Sequence, residues 1–266
     1  MTADYDPGVR PIADLISLRG RTAVVTGAAA GIGKGIAHRL AEAGAQVVIA
    51  DVSETADAVA EVAARSGASV QGVYLDAANP ASVAACVEFA ARTFGAVDIW
   101  VNNAGIYPAV SALDITDEQW DAVLSVNLRG AFVGAREAAR QMVRSGTGGV
   151  IVNVASIAAF RAAGLVHYVA SKHGMHGLTK SLAAELGPQG IRVLTVAPGM
   201  VQTPGMQVRT QDIVDVDIHA VVAARLPLRR IGVPDDIARA VLFCVSDLAA
   251  YMTGSAVLVD GGDLAI

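Results

Sequence analysis

Short, continuous apolar runs alternate with helical segments along this chain, and that alternation constrains the fold more than any other feature. Thr22–Thr26, Gln46–Ala50, Val70–Leu75, Asp98–Val101, Val150–Val154, Arg192–Val196 and Ser255–Val259 read as strands. Helical patterns lie between them, over Lys34–Ala43, Glu54–Arg65, Pro80–Phe94, Thr116–Arg144, Val166–Leu186 and Pro234–Ser246. The segment after Pro198 reads as irregular or short-helical. Strands that are apolar throughout, rather than at every second residue, are buried on both faces, as in a parallel sheet covered by helices. Strand–helix alternation implies right-handed crossovers. The expected fold is α/β and doubly wound, with helices on both faces of the sheet. No linker-like or repeated segment divides the 266 residues. An irregular lead-in is expected over 1–20, and a single domain over 21–266.

Composition removes several function classes. A 53% hydrophobic share excludes a disordered chain. The net charge of −5 is dispersed, so a nucleic-acid partner, which needs a basic patch, is not expected. The mean hydropathy of +0.48 does not signal a membrane span, because no stretch of about 18 apolar residues occurs. The first residues, MTADYDPGVRP, lack the apolar region of a signal peptide. With only Cys86 and Cys244, a disulfide scaffold is excluded and a cytoplasmic protein is expected. His38, His173, His176 and His219 have no metal-ligand spacing, so no metal is expected.

Chemistry enters at TGAAAGIG. Gly27, Gly31 and Gly33 follow a strand directly and open a helix. Glycine permits the tight turn and lets backbone N–H groups approach a pyrophosphate at a helix N-terminus. Asp51 ends the next strand about 20 residues on, where a carboxylate accepts hydrogen bonds from ribose hydroxyls. A plain glycine turn and a helix-capping aspartate are the bland alternatives. Tyr168 and Lys172 share a helix face by their spacing. An adjacent ammonium lowers a phenol's pKa from about 10, which makes Tyr168 a candidate general acid/base. Standing alone, such a pair on a helix is more often an ordinary structural surface pair. Ser156 follows a strand's C-terminal end, where doubly wound sheets bind ligands.

These motifs, with Asn102-Asn103-Ala104-Gly105, Asn127, Tyr168-Val-Ala-Ser-Lys172 and Pro198-Gly199 in order, resemble the short-chain dehydrogenase/reductase family. The resemblance covers about Arg21 to Gly262 and implies a Rossmann-type fold with a seven-stranded parallel sheet. It implies a catalytic set of Asn127, Ser156, Tyr168 and Lys172: Tyr168 exchanges the proton, Ser156 polarises the substrate oxygen, and Asn127 positions a relay water. Lys172 and Tyr168 also contact the cofactor. The implied cofactor residues further include Gly27, Ala30, Gly31, Ile32, Gly33, Asp51, Val52, Asp76, Ala77, Asn103, Ala104 and Gly105. Pro198, Gly199, Val201 and Thr203 complete them. Ser156, Ala158, Phe160, Tyr168, Met200 and Met206 are the substrate-lining candidates, with Ile106, Tyr107, Leu165 and His167 nearby.

The implied activity is hydride transfer between a nicotinamide and a secondary alcohol or ketone. A 3-oxoacyl-thioester reductase is the nearest enzymatic alternative, and a non-catalytic nucleotide sensor the alternative from another class. The cofactor is expected to be NAD. Asp51 would oppose the 2′-phosphate of NADP, and Ala30 and Val52 stand where members that use NADP often carry a cation. Lys34 is expected to face solvent. The apolar lining argues for an uncharged substrate, with Arg161 and Arg209 as the nearest cations. The helix carrying Tyr168 is apolar nearly all round, so self-association, as a homotetramer by resemblance, is expected.

Overall fold

The computed structural model describes residues 10–162, 164–204 and 218–266. Seven strands, β1 (Thr22–Thr26), β2 (Gln46–Asp51), β3 (Val70–Tyr74), β4 (Ile99–Asn102), β5 (Gly149–Val154), β6 (Ile191–Pro198) and β7 (Ala256–Val259), form one parallel sheet in the order β3-β2-β1-β4-β5-β6-β7. The chain reverses its winding direction between β1 and β4. The crevice beyond their C-terminal ends is where such sheets bind ligands.

Side chains alternate along each strand and feed two cores. On one face Val25 and Ile49 pack with Ile36 and Leu40 of α2 (Gly31–Glu42), Val62 of α3 (Ala56–Ser66) and Ile237 of α9 (Pro234–Val245). On the other, Val24 and Trp100 pack with Val83 of α4 (Pro80–Phe94), Met142 of α6 (Gly130–Ser145) and Leu182 of α7 (Val166–Leu186). The central strands are buried along their length, as a continuous apolar run requires. The edge strands β3 and β7 are half-open. Among the described residues no helix is long and apolar enough to cross a membrane.

Two expectations need correction. The lead-in is not wholly irregular: Ile12–Ile16 form a short helix, α1. Leu18 is fully buried in the core, and its N–H donates to the Ala43 carbonyl, so the 1–20 boundary cuts through packed structure. The long helix expected over 116–144 is interrupted. It divides into α5 (Asp117–Leu124), a π turn over Ser125–Arg129 and α6, with Gly130 donating back to Ser125. The wider turn inserts an extra residue where Asn127 sits, a departure often found at functional sites. The described chain continues past β6 to Pro204 and resumes with α8 (Ile218–Arg225).

Candidate active site

The glycine turn is built by exclusion. Gly27 has φ +63°, and a Cβ there would lie 2.8 Å from the Ala104 Cα. A Cβ on Gly33 would come within 2.6 Å of the Asn103 amide nitrogen. Glycine is therefore what lets the two loops, after β1 and after β4, interlock at the switch point. Thr26 fastens them: its Oγ1 accepts from the N–H groups of Asn103 at 3.0 Å and Ala104 at 3.1 Å. The Asn103 amide in turn donates to the Thr26 and Gly27 carbonyls, both at 2.9 Å. Gly31 opens α2, and the Thr203 side chain sits over it, 3.6 Å from where a Cβ would be. Ala30 is the N-cap residue and makes no side-chain cap. The first N–H groups of α2 thus face a glycine-lined concavity, a ready anion cradle.

Asp51 does not cap the next helix. That helix starts at Ala56, after Thr55. One Asp51 oxygen accepts from Ala29 N and the other from Ser53 N, each at 2.9 Å. The half-buried carboxylate is fixed beside the turn and retains acceptor capacity. Lys34 is not a free solvated cation. It pairs with Glu61 at 2.7 Å, and this bond holds the Glu61 carboxyl below its usual range. Val52 is exposed. Asp76 accepts from Ala78 N at 2.9 Å, stabilising its own turn, and Ala77 packs against Gly130 of α6.

The other candidates meet on α7. Lys172 is 3% exposed and donates to the Val154 carbonyl at 3.0 Å. Its Nζ lies 5.7 Å from the centre of the Tyr168 ring. Burial without a counter-charge lowers its pKa to about 8. Tyr168 behaves differently from the sequence expectation. Burial of its hydroxyl raises its pKa, a hydrogen bond with Ser156 opposes that rise, and Tyr107 adds to it. Spacing gives proximity to Lys172, but it does not show how far both groups are withdrawn from water. Ser156 N-caps a short turn over Ile157–Ala159, its Oγ accepting from Ala158 N at 3.1 Å.

Asn127, fully buried, acts as a clamp. Its amide receives Ile106 N at 2.8 Å, donates to Ile106 O at 2.9 Å and reaches Ser171 Oγ at 3.2 Å. A Cβ on Gly105 would lie 3.3 Å from the Asn127 oxygen and 3.7 Å from Lys172 Nζ. The loop after β4, the π turn and α7 therefore close on one point.

The substrate side is less uniform. Tyr107 meets Tyr168 edge-on at 5.8 Å, and Phe160 packs on His176 at 4.9 Å. Ile106 and Phe160 are exposed, whereas Ala158 is buried and supports the loop from within. His167 is fully buried, with neither ring nitrogen hydrogen-bonded, so it does not line an open pocket. Met200 lines a cavity of about 450 Å³ shared with Leu228, Leu258 and Asp260–Gly262. Gly199 packs on Asp260, and Val201, buried, bridges to Gly232. Arg161 is committed to Asp263 through two contacts of 2.8 and 2.6 Å. Met206 and Arg209 lie outside the described residues.

Sequence reasoning missed a buried polar chain under α7. Asn102 donates to Asn153 at 2.8 Å, Asn153 to Thr179 at 2.9 Å, and Thr195 to Thr179 at 2.9 Å. The available signal was an asparagine inside each of two otherwise apolar strands.

A family model described as enoyl-(acyl carrier protein) reductase matches residues 27–263. An L-rhamnose 1-dehydrogenase (NAD(P)(+)) from a Sphingomonas species is 41% identical over 249 residues, covering 92% of this chain and 96% of that one. A 3-oxoacyl-[acyl-carrier-protein] reductase from Aquifex aeolicus is 38% identical over 250 residues, covering 93% and 98%. Among solved structures, a short-chain type dehydrogenase/reductase from Mycobacterium marinum superposes with a TM-score of 0.89 at 35% identity, covering 95% of this chain and 98% of that one. With this sheet order, this glycine turn and this residue set, the chain belongs to the short-chain dehydrogenase/reductase family of nicotinamide-dependent oxidoreductases acting on alcohols and ketones.

Proposed function

We propose that the chain is an NAD-dependent dehydrogenase of uncharged secondary alcohols, reversible toward the corresponding ketones. The observation that carries this reading is the meeting of Tyr168, Ser156 and buried Lys172 beside the glycine cradle. The cradle suits a dinucleotide, since Gly27 and Gly33 let the loops after β1 and β4 close on each other beside the N-terminus of α2, where Ala30 makes no side-chain cap. Gly27, Ala30, Gly31, Ile32 and Gly33 would hold the pyrophosphate, and Asp51 with Val52 the adenosine ribose. Asp76 and Ala77 would flank the adenine. Asn103–Gly105, Tyr168 and Lys172 would hold the nicotinamide ribose side, with Pro198, Gly199, Val201 and Thr203 closing it. When bound, the cofactor supplies the hydride acceptor or donor.

The chain's own residues handle the proton. Tyr168 takes it from the alcohol oxygen as the phenolate, or as the phenol returns it to the ketone oxygen, while Ser156 holds that same oxygen. The ammonium of Lys172 offsets the cost of forming a buried phenolate. Asn127 keeps the loop, the π turn and α7 in register.

NAD is favoured because Asp51 leaves no room for a second negative charge and Lys34 is neutralised by Glu61. An uncharged substrate is supported by Arg161, whose charge is answered by Asp263. A homotetramer is supported by an open groove of about 590 Å³ where α5, the π turn and α6 meet α7. Leu124, Leu128, Phe132 and Leu178 line it, an apolar surface that a second copy would cover. Free, buried Cys86 and Cys244 fit a cytoplasmic setting. The test is a panel of neutral and acidic secondary alcohols with each cofactor, followed by NADH or NADPH absorbance. Turnover of neutral alcohols with NAD is expected. Turnover confined to acidic substrates, or none at all, contradicts the reading.

A further inference from the structure

The segment Asp260–Ala265 ties together three parts of the molecule, two of which carry candidate site residues. Its own shape is fixed by Asp260, whose two carboxylate oxygens accept from Gly262 N and Leu264 N, each at 2.9 Å. Gly199, after β6, packs directly on it: a Cβ there would lie 2.8 Å from the Asp260 Cα. The chain after α8 joins it through Leu228 N to Gly261 O at 3.1 Å and through Pro227 against Gly262. The third tie is the fork of Arg161 on Asp263, which reaches back 102 residues to the loop that starts at Ser156. Arg161 also donates to the Asp263 carbonyl at 3.4 Å.

The loop itself is short and internally bonded. Ala159 N donates to Ser156 O, and Phe160 N and Arg161 N both donate to Ile157 O. Beyond Phe160, Arg161, Ala162 and Gly164 are exposed. An isolated surface ion pair contributes little to stability. A planar two-point fork, however, fixes orientation as well as distance. Here it ends on Asp263, whose side chain is only 16% exposed.

We propose that Asp263 is a positioning residue for the substrate loop: through Arg161 it holds Ser156–Phe160 in register with the turn that also braces Gly199 and the base of α8. Asp263 acts through Arg161 and touches no reacting atom. This deepens the proposed function, because it assumes that Ser156 and Phe160 serve an alcohol.

The test compares wild type, Asp263→Asn, Arg161→Asp and the exchanged pair Arg161→Asp/Asp263→Arg. The readouts are kcat/KM for the best neutral alcohol, Kd for NADH by fluorescence, and hydrogen exchange at Ala159, Phe160 and Arg161. In Asp263→Asn, kcat/KM should fall about tenfold, because small misplacements of reacting groups are costly. NADH affinity should stay within about twofold, and the three amides should exchange about tenfold faster. The exchanged pair should restore both kcat/KM and protection. Wild-type kcat/KM and exchange in Asp263→Asn overturn the proposal. So does joint loss of NADH binding and activity that the exchanged pair fails to recover, since that is general destabilisation. Should wild type turn over no alcohol, the functional reading falls. Exchange then decides the positioning role alone: faster amides sustain it, and unchanged amides overturn it.

Discussion

The proposed cofactor side and the proposed substrate side of this site are held by different means. Around the glycine turn, backbone meets backbone, and Thr26 and Asn103 close four hydrogen bonds across two loops. Around Ser156–Arg161, long side chains cross large sequence separations, as in Arg161 to Asp263 and Phe160 to His176. The first arrangement tolerates almost no change of residue. The second can be re-cut by substituting single side chains, which suits a region that selects among substrates.

The sharpest separation of the two sides should come from Tyr168→Phe. The ring and its packing stay while the exchangeable proton goes. NADH affinity should hold, and kcat should fall by about 10²–10⁴, the usual range for lost general acid–base catalysis. Turnover near the wild-type rate would place the proton elsewhere.

Gly33→Ala strikes the opposite side. The new methyl would press on the Gly27 carbonyl and on the Asn103 amide nitrogen, the latter 2.6 Å away, so the turn or the loop after β4 must shift. Overpacking of this kind costs about 1–3 kcal/mol. Equilibrium titration should show NADH affinity about tenfold or more weaker, in line with that cost. Unchanged affinity would mean that the cradle is not the cofactor's.

Lys172→Met should separate function from stability. Burial lowers the lysine's pKa from 10.5 to about 8. The unfolded chain therefore binds the extra proton between these values, and stability rises with pH across that window. Below about pH 8 the whole burial penalty applies, on the order of 3 kcal/mol. Methionine removes the penalty but leaves Val154 O without its donor, which returns about 1–2 kcal/mol. The ligand-free variant should thus melt higher than wild type at pH 7, by an amount that shrinks toward pH 10, while turnover is lost. A lower Tm at pH 7 would show that the ammonium is better solvated than its burial implies. The smallest effect is expected from Phe160→Ala: reordered kcat/KM values among neutral alcohols, less than about tenfold each, with NADH affinity intact.

Legibility in the sequence followed the same division. The Pro80–Phe94 and Val166–Leu186 helices were readable to the residue, because proline starts the first, glycine ends it, and the strands on either side are plain. The glycine turn was readable because its steric need is written in residue type. The π turn at Asn127 was not, since one extra residue in a helical pattern leaves the apolar spacing nearly unchanged. The raised pKa of Tyr168 was hidden because a four-residue spacing reports neighbours and says nothing of solvent. The cavity that Met200 lines beside Gly261 was not legible, because a loop's direction after Pro-Gly is set by distant contacts. The Arg161–Asp263 fork had no local signal at all.

In the proposed function Asp51 is the group that selects the cofactor. The direct measurement is kcat/KM for NAD and for NADP with one neutral alcohol, in wild type and in Asp51→Ala. Wild type should favour NAD by at least about tenfold, the least that an unneutralised like-charge contact is expected to cost. Asp51→Ala should bring the two values close together. Equal use of both cofactors by wild type, or a preference for NADP, would contradict the account, because a cation other than Lys34 would then have to answer the 2′-phosphate.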